Sequence, residues 1–368
     1  MYIVGIIMFG GRGFAKVQNF LNLFISNAGL IVVATGMTIV MITGGIDISV
    51  GSVVALICMM LAWMMEKAGI GAVPAIIIVL VTGCVFGLVQ GFLVAYLKIQ
   101  PFIVTLATML MGRGLTYTLL KAQTKGPLPT NYTYIGAGFL PTMKIQFGNG
   151  TLDLISIIVA GIATVLVVMA ELKSINTKKK YGFPINPLWQ IIIKEAVILM
   201  IVWFFFYKLS RYNGIPFVLV IMGVLVGLYH FITSKTVAGR QIYALGGNAK
   251  AAKLSGINTE KVFFWVYTNM GILSAIAGIV LSARNASATP KAGDGFEMDA
   301  IASCYIGGAA TSGGIGTIIG AVVGAFIMGI LNNGMSLYGW STDIQKIVKG
   351  AVLLGAVTVD LLSKRKKG

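Results

Sequence analysis

Thr43–Val54 reads TGGIDISVGSVV. An apolar run from Leu30 to Ile42 arrives at Gly44 and Gly45, meets the isolated Asp47 with Ser49 and Ser52, and a second apolar run leaves from Val50. A carboxylate inside hydrophobic sequence is rare, because a charge at a bilayer centre costs at least ~2.5–3.5 kcal/mol. Paired glycines weaken a helix at the same point. Backbone that stops being helical at membrane depth is tolerated only where protein buries it or a cavity solvates it. The stretch therefore predicts a broken helix in a polytopic membrane protein. A second reading stays open: a short surface loop in which Asp47 caps the following helix through Ser49 or its own carboxylate.

Composition supports the membrane setting. The 368 residues are 57% hydrophobic and 11% charged, with a mean hydropathy of +0.90, whereas soluble domains carry about 25% charged residues. Cys58, Cys84 and Cys304 all sit in apolar runs and read as core residues, without disulfide or metal spacing. The net charge of +17 concentrates in loops and helix ends, so it reflects membrane orientation and not nucleic-acid binding.

About twelve hydrophobic segments follow: 2–10, 27–43, 50–65, 72–97, 102–120, 151–171, 190–208, 214–232, 262–284, 298–313, 315–334 and 342–362. Segment 2–10 is shorter than the ~17–25 residues of a spanning helix, and the glycine-rich 298–313 is a re-entrant candidate. The expected fold is all-α: one transmembrane helical bundle over 1–368 with ten to twelve membrane segments and broken or re-entrant helices. Basic clusters at Lys173–Lys180, at Lys235–Lys261 and in the tail at 363–368 fall on one face by segment count. The positive-inside rule makes that face cytoplasmic, together with both termini. The loop at 233–261 is then cytoplasmic and the loop at 121–150 external. Arg113, Lys346 and Lys349 lie in or near spans; the two lysines, one turn apart, either snorkel to a surface or line a cavity.

The opening stretch has an echo. Ser312-Gly-Gly-Ile315, with Gly320, Val322 and Val323, matches Thr43-Gly-Gly-Ile46, with Gly51, Val53 and Val54, at a constant offset of 269 residues. Repeats with broken helices near the substrate route are a transporter feature. The second copy has Gly316 in place of Asp47, so the charge is not what repeats.

Thr236–Thr259, TVAGRQIYALGGNAKAAKLSGINT, is more than a connector. Gly246 and Gly247 predict a sharp turn. From the capping residue Asn248, the positions Ala251, Ala252, Leu254 and Ile257 recur at helical spacing, with Lys250 and Lys253 on the other side, and Gly256 predicts a C-terminal cap. Such a helix could dock into a groove on a soluble partner, or pack only on its own membrane domain.

At this point a resemblance becomes specific. GRQIYALGGNAKAAKLSGI resembles the coupling segment of permease subunits of bacterial ATP-binding-cassette (ABC) importers for ribose, xylose and related monosaccharides. GMTIVMITGGIDISVGS, KIQPFIVTLATMLMGRGLTY, DAIASCYIGGAATSGGIGTIIGA and ILNNGMSLYGWSTDIQKIVKG are similar to the same family in the same order. The added segments around Lys173–Tyr207 are similar to its longer xylose or multiple-monosaccharide branch. The first helix looks shorter than is usual in the family. Members often carry an acidic residue just after the asparagine, where this chain has Ala249 and Lys250.

The resemblance implies a homodimer of permeases in the bacterial cytoplasmic membrane, an ATP-binding subunit beneath and an extracytoplasmic sugar-binding protein outside, with no nucleic acid involved. It places ATPase coupling on Gly239, Arg240, Gly246, Gly247, Asn248, Ala251, Ala252 and Gly256. The chain contains no G-x-x-x-x-G-K-[ST] phosphate loop. Catalytic and metal roles are therefore expected on none of its residues, and ATP with Mg²⁺ is expected on the partner. Neutral sugars need hydrogen-bonding groups, which makes Asp47, Ser49, Ser52, Gln90, Thr105, Thr108, Asn332 and Asn333 pathway candidates; each could equally bond a neighbouring backbone. The rival from another class is an ion-coupled secondary sugar transporter using Asp47.

Overall fold

The computed structural model describes residues 16–121, 123–147, 150–184, 187–310 and 312–365; the expected segment at 2–10 and the last three tail residues lie outside these. The described residues form fourteen helices and one hairpin. The helices are α1 (Val17–Ile42), α2 (Val50–Glu66), α3 (Ala72–Ala95), α4 (Pro101–Leu120), α5 (Thr130–Ala137), α6 (Leu154–Lys180) and α7 (Leu188–Ser210). They continue as α8 (Phe217–Lys235), α9 (Val237–Gly247), α10 (Ala249–Leu254), α11 (Thr259–Asn285), α12 (Phe296–Ile306), α13 (Ile318–Leu337) and α14 (Thr342–Arg365). Strands β1 (Lys144–Phe147) and β2 (Gly150–Asp153) pair antiparallel, Ile145 opposite Leu152.

Among the described residues, eight helices are long and apolar enough to cross a membrane: α1, α3, α4, α6, α7, α8, α11 and α13. The sequence count was higher for local reasons. Segment 50–65 forms α2, whose 17 residues stand at the lower bound of spanning length. Segment 298–313 stops being helical at Ile306, because Gly308 and Gly313 turn the chain with φ of +86° and +77°. α14 has the length, 24 residues, but opens with Asp343, Lys346 and Lys349. α1 begins ten residues before the expected apolar segment. Its polar first turns find helix partners: Asn19 and Asn333 exchange two amide hydrogen bonds of 3.0 Å.

The chain divides into two compact units, Met1–Gly138 with Val218–Gly368, and Phe139–Phe217. In the larger, α1 is buried at every residue from Asn27 to Ile42, as expected of a helix apolar all round. α11 packs against α1, α2, α3 and α5. Gly83, Gly87 and Gly91 make the α3 contact close: a Cβ on each would lie 2.5–2.6 Å from a carbonyl oxygen of Gly271, Thr268 or Phe264. Small residues at four-residue spacing are how membrane helices approach one another. The expected external loop is partly ordered helix: Tyr132 on α5 is fully buried and its hydroxyl reaches Ser282 Oγ at 2.6 Å.

In the smaller unit, α6 packs on α7, and β2 touches α7. Asp153 caps α6, accepting from Ser156 N at 2.9 Å and from Met143 N at 3.0 Å. Lys194 on α7 bonds Glu171 on α6 at 2.6 Å.

Candidate functional site

The two glycine turns of the sequence echo meet at one place. Both Gly44 and Gly313 take positive φ, +81° and +77°, a conformation glycine adopts without the penalty of a Cβ. The carbonyl of Ile42, at the end of α1, accepts the N–H of Gly314 at 2.8 Å. α9 lies on that junction. A Cβ on Gly246 would stand 1.6 Å from Ile42 O, and one on Gly313 would stand 2.6 Å from Gly246 O. Tyr243 Oη donates to Gly316 O at 2.6 Å. The end of α1, the turn before α13 and the end of α9 are thus one backbone-to-backbone contact.

This placement corrects the sequence reading of Gly246 and Gly247. They are not a turn before a helix but the last residues of α9, which Thr236 opens by accepting from Gly239 N at 3.3 Å. Gly239 is buried against the carbonyls of Ile232 and Thr233. The break falls one residue later, at Asn248, whose extended backbone starts α10 and whose Oδ1 accepts from Ala251 N at 3.0 Å. Ala252 is buried, Gly256 ends α10 with φ +83°, and Leu254 is 90% exposed. Gly247, Arg240 and Ala251 are exposed, and no heavy atom lies within 4 Å of a Cβ built on Gly247. The α9–α10 element therefore has one face on the glycine junction and another, carrying Leu254 and Gly247, open.

The polar residues of the opening stretch form a second cluster. Asp47 is 1% exposed. Its Oδ1 accepts from Ser49 N at 2.8 Å and from Ser49 Oγ at 2.6 Å, and Gln90 Nε2 on α3 donates to the same Ser49 Oγ at 2.7 Å. Ser52 Oγ bonds Ser49 O at 2.6 Å, and Ser52 faces Gly112 on α4. Asp47 thus braces the turn before α2 through Ser49 and does not cap the helix: the cap residue is Ser49, and it makes no side-chain cap hydrogen bond. Thr105 and Thr108 are buried and bond carbonyls of their own helix, Phe102 O and Val104 O. The hydroxyl of buried Tyr267, on α11, lies against Gly45 and has no hydrogen-bond partner among the described residues.

Asn332 and Asn333 stand apart from this cluster. Asn333 is held by Asn19. Asn332 Nδ2 donates to Asp299 Oδ2 at 3.1 Å, and Lys349 Nζ reaches the same oxygen at 2.8 Å, so α12, α13 and α14 are tied by one largely buried charge pair. Lys346 pairs with exposed Asp294 at 3.0 Å. Arg113 on α4 donates to the carbonyls of Pro290 and Ala292 at 3.2 and 2.9 Å. Sequence reasoning placed these cations in spans but gave them no partners; Asp299 was missed. Among the described residues, no group of three or more His, Cys, Asp or Glu could hold a metal ion.

A family model described as branched-chain amino acid transport system / permease component matches residues 19–357. The chain is 39% identical over 333 residues to the xylose transport system permease protein XylH of Haemophilus influenzae, covering 90% of this chain and 86% of that protein. It is 36% identical over 353 residues to XylH of Escherichia coli, covering 96% and 87%. It is 36% identical over 358 residues to the ribose import permease protein RbsC of Bacillus subtilis, covering 97% and 89%. No solved structure matches the chain.

Proposed function

This chain belongs to the transport-system permease family whose model spans residues 19–357, and from that premise we propose that it carries a monosaccharide, xylose or a related pentose or hexose, across the membrane as the permease of an ABC importer. It is a multi-pass membrane protein with eight apolar helices of spanning length. The sugar assignment follows the names of the xylose and ribose relatives. In this reading two copies form the pathway in the bacterial cytoplasmic membrane. A separate ATP-binding subunit holds ATP and Mg²⁺ on the cytoplasmic side, and an extracytoplasmic sugar-binding protein delivers the substrate. Both termini and the basic clusters face the cytoplasm.

The observation that carries the mechanism is the seat of α9 on Ile42 and Gly314. A partner that grips the open face of α9–α10 pushes on the end of α1 and the start of α13 together, because no side chain intervenes to absorb the displacement. Packed interfaces switch between discrete arrangements and do not deform continuously, so a small movement of α9 is converted into a change of access between helices. Asp47, already bonded by Ser49, serves in this scheme as the brace of the turn that keeps the break between α1 and α2 rigid.

The test is reconstitution of the chain with its ATP-binding subunit and binding protein in vesicles, offered labelled xylose, ribose, glucose and galactose. Uptake that requires ATP and the binding protein, and survives an ionophore, is the expected result. Uptake that follows an ion gradient and ignores ATP overturns the proposal in favour of an ion-coupled carrier.

A further inference from the structure

At the end of the larger unit that bears α9, a cavity of about 530 Å³ opens between α8, α9 and α11, with Ile39 of α1 at its back. That volume lies in the ~300–1,000 Å³ range of ligand pockets. Its wall is mostly apolar, formed by Ile232, Ile242, Val262, Trp265 and Val266. Polar groups occur at its two ends and, on the α9 wall, at Gln241. Deep along α11, the hydroxyl of Tyr229 is hydrogen-bonded to Asn269 Oδ1, so that end is satisfied. At the mouth stand Asn258, whose side chain caps α11 through Lys261 N at 2.8 Å, and exposed Lys261 itself. Neighbouring Glu260 is engaged by Lys253 at 3.1 Å, and Lys261 makes no ion pair among the described residues.

We propose that this cavity is a binding site for one anionic phospholipid, with its phosphate over Lys261 at the start of α11 and an acyl chain running down the groove toward Tyr229 and Asn269. Three features select this occupant. From Asn258 to Asn269 the groove follows α11 for ~16 Å at 1.5 Å per residue, which is half of a ~30 Å hydrocarbon core and so the depth of one leaflet. Trp265, 55% exposed, sits between the charged mouth and the apolar floor, where interfacial tryptophans belong. The unpaired lysine and the positive end of the α11 dipole favour a negative headgroup over a zwitterionic one. A free phosphate or a nucleotide would satisfy the mouth and leave Ile232, Val262 and Trp265 uncovered. Since Ala238, Gln241 and Ile242 of α9 form one wall, a chain in the groove is a wedge beneath α9 and couples lipid composition to its position. The inference rests on α8 and α11 spanning the membrane and not on which solute the protein carries.

The experiment is direct binding. A protein retaining Trp265 as its single tryptophan, with Trp63, Trp189, Trp203 and Trp340 replaced by Phe, is placed in phosphatidylcholine bilayers. Brominated phosphatidylglycerol or brominated phosphatidylcholine is then titrated in, and quenching of Trp265 is read. The expected result is about a fivefold preference for phosphatidylglycerol, the size of one lysine against one phosphate at a membrane surface. Lys261→Gln should remove the preference and Lys261→Arg keep it, while Ala238→Phe should weaken quenching by both lipids by filling the groove. Equal quenching by the two lipids in the parent protein overturns the proposal, as does a preference that persists in Lys261→Gln. A preference abolished by millimolar inorganic phosphate also overturns it, since the site would then be one for a free anion.

Discussion

The carbonyl oxygen of Ile42 is covered from two sides: Gly314 donates its N–H to it at 2.8 Å, and the α-carbon face of Gly246 closes over it with no room for a methyl group. The turn that follows α1 and the turn that precedes α13 are therefore anchored to each other and to α9. Three segments far apart in sequence behave at this point as one solid joint. Packing of this kind transmits displacement because interiors have few voids in which it can be lost.

Gly246→Ala tests the joint. The new Cβ, 1.6 Å from Ile42 O, meets backbone that cannot rotate away, so α9 must lift. Overpacking of this sort costs about 1–3 kcal/mol, enough for roughly a tenfold or larger drop in sugar-stimulated ATP turnover while the chain still assembles in the membrane. The contrast is Gly247, where an added Cβ meets nothing within 4 Å. Gly247→Ala should couple normally in the same assay, and Gly247→Trp should fail only when the partner ATPase needs that face. A fully coupled Gly246→Ala protein would remove the joint from the mechanism.

Asp47→Asn separates a turn brace from an ion site. Asparagine keeps an oxygen that can accept from Ser49 N and Oγ, so uptake should stay within about threefold of the parent, given that Asn and Asp both bond the backbone two residues on in such turns. Asp47→Ala should be markedly worse, since it leaves buried Ser49 donors unpaired at a cost of about 1–3 kcal/mol. Initial rates of labelled-sugar uptake, with and without an ionophore, decide it. A dead Asp47→Asn transporter in an intact complex would revive the carboxylate as a functional charge.

The Asp299–Lys349 pair ties α12 and α13 to α14, and Asp299 is 6% exposed at its side chain against 21% for Lys349. Breaking a buried pair from one side costs about 3–5 kcal/mol, and the partial exposure of the lysine puts this one near the lower end. Lys349→Met should lower the unfolding temperature in detergent by several degrees. Asp299→Asn added to it should recover most of the loss, because no uncompensated charge then remains. Additive losses in the double variant would show that the two residues do not act as a pair.

Gly87→Leu on α3 should separate that helix from α11. A Cβ there already falls 2.6 Å from Thr268 O, so the larger side chain forces the axes apart and costs about 1–3 kcal/mol or more. Gly223→Leu on α8, where a Cβ meets nothing within 4 Å, is the matched control. Disulfide trapping between cysteines placed on α3 and α11 reads the separation directly.

Much of the architecture was legible because membrane helices announce themselves by length and apolarity, and because glycine pairs mark where they stop. Gly44–Gly45 and Gly313–Gly314 were visible as a repeat. What sequence could not supply was partnership across distance. Asn19 reads as a reason to end a helix until Asn333 is seen opposite it. Asp299 is silent within its apolar run until Lys349 and Asn332 arrive from two other helices. Gly246 looked like a local turn because two adjacent glycines carry that meaning in a loop; its real constraint is a carbonyl contributed by α1. The glycine stripe of α3 did carry a signal, a four-residue period that fits close packing of membrane helices.

Leu254 deserves a last consequence. It stands 90% exposed on a six-residue helix, and burying such a side chain is worth about 1.5–3 kcal/mol. In the proposed complex, a partner subunit that covers Leu254 gains that free energy only on binding, so the same side chain that costs nothing to the membrane bundle would count toward assembly.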